Sequence, residues 1–235
     1  MRTNWLLLLL LPGFAAQAAD VCNPADLVGP YAFQLAGLTD ISGAPEPTVG
    51  LGRIVFDGHA SLSGTVSATF AGLLLGNPVV GSYEAKSDCS VIWKLQDDSG
   101  AFQHFGGTLS SDGTRVQFKQ TDPGGVQRGI MQKTSDNCSA ADLRKKYHFT
   151  VSGSTTPMQP GEVSRTVSAK GTLDIAENGR FEVESDCSVQ FELTLPPEPS
   201  PLTMRGFLVN GGKEILAFQT DPGAMVAARF SADTK

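Results

Sequence analysis

Two short strings in this chain occur twice. Ser87-Asp88-Cys89-Ser90-Val91 returns as Ser185-Asp186-Cys187-Ser188-Val189, and Gln120-Thr121-Asp122-Pro123-Gly124 returns as Gln219-Thr220-Asp221-Pro222-Gly223. Duplication constrains the fold more tightly than composition does. Two copies of one folding unit must bury equivalent faces, so the positions that recur are those the shared scaffold needs. Upstream, Cys22-Asn23-Pro24-Ala25-Asp26-Leu27 aligns with Cys138-Ser139-Ala140-Ala141-Asp142-Leu143 at an offset of 116. The same offset pairs Tyr31, Phe33, Leu35 and Gly37 with Tyr147, Phe149, Val151 and Gly153. At the second cysteine the offset has become 98, and at Gln120 it is 99. The cysteines lie 67 residues apart in the first copy and 49 in the second, so the second copy is 18 residues shorter between them.

The matched segments alternate. Val91, Trp93 and Leu95 stay apolar as Val189, Phe191 and Leu193, whereas Ile92 and Lys94 become Gln190 and Glu192. Side chains on a strand point alternately to opposite faces, so this is a half-buried strand with one face inward. Asp57-Gly58, Asp112-Gly113 and Asn210-Gly211 suit tight turns between such strands. No segment carries a good helical period, apart from a short turn after the first cysteine of each copy. In the first copy, strands are predicted near 30–37, 51–57, 60–70, 73–86, 90–97, 101–110, 114–121 and 126–133. Eight consecutive antiparallel strands suit a small up-and-down barrel, which leaves no free edge. A two-sheet sandwich is the alternative. The chain therefore reads as all-β, with two tandem antiparallel barrel-like or sandwich repeats, 19–135 and 136–235, the second shortened by a hairpin. The missing part corresponds to residues 58–80. Either two strand lengths were removed, or the second copy is an open, rearranged sheet whose edge the first copy covers. The copies are accordingly expected to pack together.

The N-terminus has the order of a secretory signal peptide: Arg2, the apolar run from Trp5 to Leu11, then Ala16-Gln17-Ala18 as an A-x-A site. Cleavage after Ala18 leaves 217 of the 235 residues and changes the net charge from −6 to −7. The expected location is secreted or periplasmic. An acidic chain is a poor partner for nucleic acid, which demands clustered Lys and Arg. No later stretch is apolar enough to span a membrane. All four cysteines lie beyond the cleavage site, and an even number in an oxidising compartment implies disulfides. If each copy folds alone, the bonds are Cys22–Cys89 and Cys138–Cys187. Metal binding is the rival reading, but no two cysteines are close in sequence, and no metal or other cofactor is expected.

Catalytic patterns are lacking in the sequence. There is no G-x-S-x-G, P-loop, G-x-G-x-x-G, H-E-x-x-H or calcium loop. His59, His104 and His148 have no histidine at their counterparts and read as surface or edge residues. Asp88 and Asp186 read as turn residues that accept backbone N–H groups. Asp122-Pro123-Gly124 and its repeat suit a tight turn. Gln120 and Gln219 each end a strand that is otherwise apolar on alternate positions, so the amide either bonds a turn or contributes a polar contact inside a pocket. The remaining candidate site is the interior of the first barrel. Phe33, Phe56, Phe70, Tyr83, Trp93 and Phe118 are expected to point into it, with Gln120 beside them. A barrel of this size either fills itself with side chains or holds one small ligand.

The order G-x-Y-x-F from Gly29, G-x-I-x-F-D-G from Gly52, Gly81-Ser82-Tyr83, Asp88-Cys89 and Gln120-Thr121-Asp122 resembles small secreted barrel-like repeat domains of environmental bacteria. More distantly the layout is similar to calycin-type barrels (lipocalin, avidin) and to allene-oxide-cyclase-like barrels. The resemblance implies a barrel fold and assigns no site residues. The second copy departs from it, since Lys145-Lys146 replaces the opening glycine. The expected function is non-enzymatic binding of a small apolar ligand in the barrel, or of a protein or envelope partner on its outside. The alternatives are a cyclase- or isomerase-type barrel enzyme and a purely structural or inhibitory envelope protein. The oligomeric state is left open.

Overall fold

The computed structural model describes residues 22–41, 44–178, 180–194 and 201–233, so the predicted signal peptide at 1–18 lies outside the described residues. Eight strands come first: β1 Gly29–Ile41, β2 Ala44–Phe56, β3 Ser61–Phe70, β4 Leu73–Ala85, β5 Ser90–Asp97, β6 Phe102–Leu109, β7 Arg115–Gln120 and β8 Arg128–Lys133. Each pairs antiparallel with the next, and β8 pairs back onto β1, closing a barrel. Then follow β9 Lys146–Thr155, β10 Arg165–Asp174, the four-residue helix α1 Ile175–Asn178, β11 Phe181–Val183, β12 Ser188–Leu193, β13 Leu202–Val209, β14 Glu214–Gln219 and β15 Ala224–Ser231. These strands make one open sheet in the order β10-β9-β15-β14-β13-β12-β11.

The barrel interior is built from the alternation the sequence displays. Tyr31, Phe33 and Leu35 on β1, Ile54 and Phe56 on β2, Val91, Trp93 and Leu95 on β5, and Val116 and Phe118 on β7 are all buried in one core. One end is corked by the segment before β1. There Leu27 is fully buried, Tyr83 Oη donates to the Leu27 carbonyl at 3.3 Å, and the Cys22–Cys89 disulfide ties the segment to the start of β5. Strands β1 and β2 are longer than expected. They continue past the barrel wall as a two-stranded hairpin in which Pro45 and Pro47 of β2 pair only with β1, since β3 begins its pairing at Thr48. With no third strand there, the missing proline N–H costs no ladder bond.

The second sheet has the barrel's strand order, cut open and not rearranged. β9, β10 and β12–β15 correspond to β1, β2 and β5–β8, while β11 keeps only the counterpart of Tyr83–Ala85, the last residues of β4. The lost hairpin begins and ends at the same end of the barrel. Helix α1 therefore joins β10 directly to β11, and every later strand keeps its direction. Recurring details show a common scaffold. The phenols of Tyr31 and Tyr147 donate to the carbonyls of Gly113 and Gly212, each glycine having positive φ in the turn before β7 or β14. A Cβ at Gly212 would stand 2.0 Å from the Asp142 carbonyl oxygen, and one at Gly113 2.7 Å from the Asp26 Cβ. Burial pushes both phenol pKa values up from 10.0, so these donors stay protonated. The pairing Cys22–Cys89 and Cys138–Cys187 is present, which favours an oxidising, extracytoplasmic setting. No described helix is long and apolar enough to cross a membrane.

The copies do pack together, but the first copy does not cover the second's open edges. Among the described residues neither β10 nor β11 has a strand on its free side. Contact runs instead through outer faces. Ala32, Val49 and Leu51 of the barrel bury against Phe207, Val209, Leu216, Phe218 and Met225 of the second sheet. Gln34 Nε2 reaches across to the carbonyls of Ala217 and Ala228, and Thr134 Oγ1 donates to the Leu208 carbonyl at 2.7 Å. Strands β13–β15 are thus buried on both faces, which accounts for their continuous apolar runs.

Candidate functional site: the mouth of the first barrel

The aromatic side chains divide the barrel into a filled part and an open one. At the corked end, Phe56 makes edge contacts with Tyr31 and Tyr83 at 5.4 and 4.7 Å between ring centroids. Above them Trp93 stacks on Phe105 at 5.4 Å and meets the edge of Phe118 at 5.0 Å, and Phe118 also contacts Phe33. These rings fill the section and leave nothing for a ligand to enter. Toward the opposite end the barrel opens into a cavity of about 200 Å³, with Phe33 and Phe105 at its floor. Its wall comes from Leu35, Val66, Ala68, Phe70, Val79 and Leu95, and Leu75 stands at its lip. Leu73, Leu74 and Leu75 are exposed at the β3–β4 hairpin tip beside it. That tip is anchored to the second copy, where Gly223 N donates to the Gly72 carbonyl at 2.9 Å.

Of the residues singled out in the sequence, Phe33 and Phe70 line the cavity. Phe56, Tyr83, Trp93 and Phe118 lie in the packed core beneath it. Gln120 does not line the cavity and serves a turn: its Nε2 donates to Asp122 Oδ2 at 3.2 Å, and Gln219 does the same to Asp221 at 2.8 Å. The carboxylates then clamp the neighbouring strand, with Asp122 accepting the His104 N–H at 2.8 Å and Asp221 the Thr203 N–H at 3.0 Å. Partial burial of Asp122 opposes ionisation, but the His104 N–H, the His104 ring and Gln120 together hold its carboxyl below the usual range. The Asp-Pro-Gly motif is therefore a strand-bridging clamp as well as a turn. Asp88 and Asp186 are turn residues, accepting the N–H of Ser90 and Ser188 at 3.0 and 2.9 Å.

Three polar residues at the rim escaped the sequence reading: Asn77, Asp97 and Gln103. Asp97 is the cavity's ionisable side chain, and it is engaged in the β5–β6 turn, accepting the Ser99 N–H at 3.0 Å, the Ser99 hydroxyl at 2.6 Å and the Ala101 N–H at 3.2 Å. Glu84 pairs with Lys86 on the exterior. Among the described residues no group of three or more His, Cys, Asp or Glu is placed to hold a metal ion. Six of the cavity residues, Val66, Ala68, Phe70, Leu75, Asn77 and Val79, belong to the hairpin that the second copy lacks. The pocket is consequently a property of the first copy. The chain matches no protein-family model and no curated protein.

Proposed function

We propose that this is a secreted, non-enzymatic binding protein that takes a small apolar molecule into the mouth of its first barrel. The observation that carries this reading is the roughly 200 Å³ apolar cavity above the aromatic layer. An apolar protein cavity of about 150 Å³ suffices to bind benzene, so this space suits a molecule of one ring or a short branched chain. Displacing poorly held water from such a wall supplies the affinity, and the rim residues Asn77 and Gln103 offer orientation to a single polar substituent. The isomerase alternative needs an acid or base facing the ligand, and among the described residues the one carboxylate at the cavity, Asp97, is committed to its turn. The two disulfides support export.

Titration with p-xylene, followed by nuclear magnetic resonance, tests the reading. Saturable shifts are expected at the methyl groups of Leu35, Val66 and Ala68 and at the ring protons of Phe33 and Phe105. Filling the cavity by Ala68→Trp should remove them. Shifts scattered over the surface, or equal shifts in Ala68→Trp, would reject it.

A further inference from the structure

The outer face of β6–β8 presents a second, chemically different surface. An open groove of about 680 Å³ runs over Gly106, Gly107 and Gly129, flanked by Thr108 and Gln117 and bordered by Arg115, Lys119, Arg128 and Arg229. Among the described residues no acidic side chain lines it, although the chain carries 24 acidic and 18 basic residues. Arg229 is engaged by Glu214, but among the described residues Arg115, Lys119 and Arg128 form no ion pair. Lys119 and Arg128 stand directly opposite each other in the β7–β8 register. Like charges facing across a ladder repel, so the fold maintains an unfavourable pair here. Arg115 adds a buried Nε with no hydrogen-bond partner.

We infer that this groove binds a linear acidic polysaccharide carrying carboxylate or sulfate groups. Charge complementarity calls for an anion, and its length follows from the strand. Arg115 and Lys119 share one face of β7 four residues apart, which is about 13 Å. A single phosphate or carboxylate cannot bridge that distance, whereas successive charges on a chain can. The glycine floor with hydroxyl and amide flanks suits a flat, hydroxyl-rich chain. Among the described residues no exposed ring lines the groove to stack a nucleobase. These strands lie inside a closed barrel, so no free edge is offered to an acidic peptide.

Heparin oligosaccharides and polygalacturonate are the probes, with dextran, polyglutamate and single-stranded DNA as comparators. At low salt the two acidic glycans should bind and dextran should not, with affinity falling as salt rises. The Lys119→Gln/Arg128→Gln double variant should weaken binding at least tenfold with an unchanged melting temperature, and Lys119→Gln alone should weaken it severalfold. Lack of binding by either glycan, or affinity unaffected by both variants, would overturn the inference. So would polyglutamate or DNA binding as tightly as the glycans. The groove lies outside the barrel, so its test is independent of the apolar cavity.

Discussion

At the scale of single residues, one half-buried carboxylate helps to tie the two copies together. Glu214 accepts from Gln132 Nε2 of the barrel at 2.9 Å and from Arg229 Nε of its own sheet at 3.1 Å. Burial opposes its ionisation, but these donors outweigh that and hold its carboxyl below the ordinary value of 4.5. A lowered pKa in the folded state means that stability from this group is fully present above the ordinary value. It is lost as pH falls through the lower folded value. Unfolding free energy measured from pH 6 down to pH 2.5 should therefore fall at the acid end, and Glu214→Gln should flatten that slope by about one proton's worth. An unchanged acid slope in the variant would show that Glu214 contributes nothing to the junction. The sequence held no sign of this residue, because its barrel partner Gln132 lies 82 positions away and only the docking of the copies brings the two together.

At the scale of elements, the alternation that defines β1, β5 and β7 was readable because β5 and β7 bury a single face, while the outward positions of β1, Ala32 and Gln34, are small or polar. The extension of β1 and β2 to Ile41 and from Ala44 was not, since Pro45 and Pro47 read against a strand and the hairpin adds no residue to the hydrophobic clusters. The docking face did leave a signal in the internal alignment. At the offset of 99, Thr108, Ser110, Gln117 and Lys119 become Phe207, Val209, Leu216 and Phe218. These are outward positions, polar in one copy and apolar in the other, and the apolar set is the one that docks. Phe218→Ala should thus lower the stability of the second sheet by about 3 kcal/mol or more in denaturant unfolding, as for other buried aromatic truncations. Lys119→Ala, its exposed counterpart, should change stability by less than about 0.5 kcal/mol. Equal effects of the two substitutions would contradict the outer-face packing.

At the scale of the whole molecule, duplication was followed by divergence into unlike parts. The first copy keeps its β3–β4 hairpin, closes into a barrel and has a cavity. The second has lost that hairpin and offers a flat apolar back that braces the barrel wall. The contact joins different faces of the two copies, as in a head-to-tail pair, and the faces equivalent to those that dock are polar: Lys119 and Gln117 on the barrel, His148 and Lys170 on the second sheet. The filled or hollow state of the barrel was not legible in the sequence. Phe33 on β1 and Trp93 on β5 stand four strands apart either way round the barrel, and only the ring packing decides that Trp93 fills the centre while Phe33 floors an opening. The most direct test of the binding reading is a native mass spectrum of the protein purified from its own host, beside that of Ala68→Trp. Extra mass is expected on the wild-type protein, leaving on denaturation and missing from the variant. The same increment on both, or none on either, would contradict the binding reading.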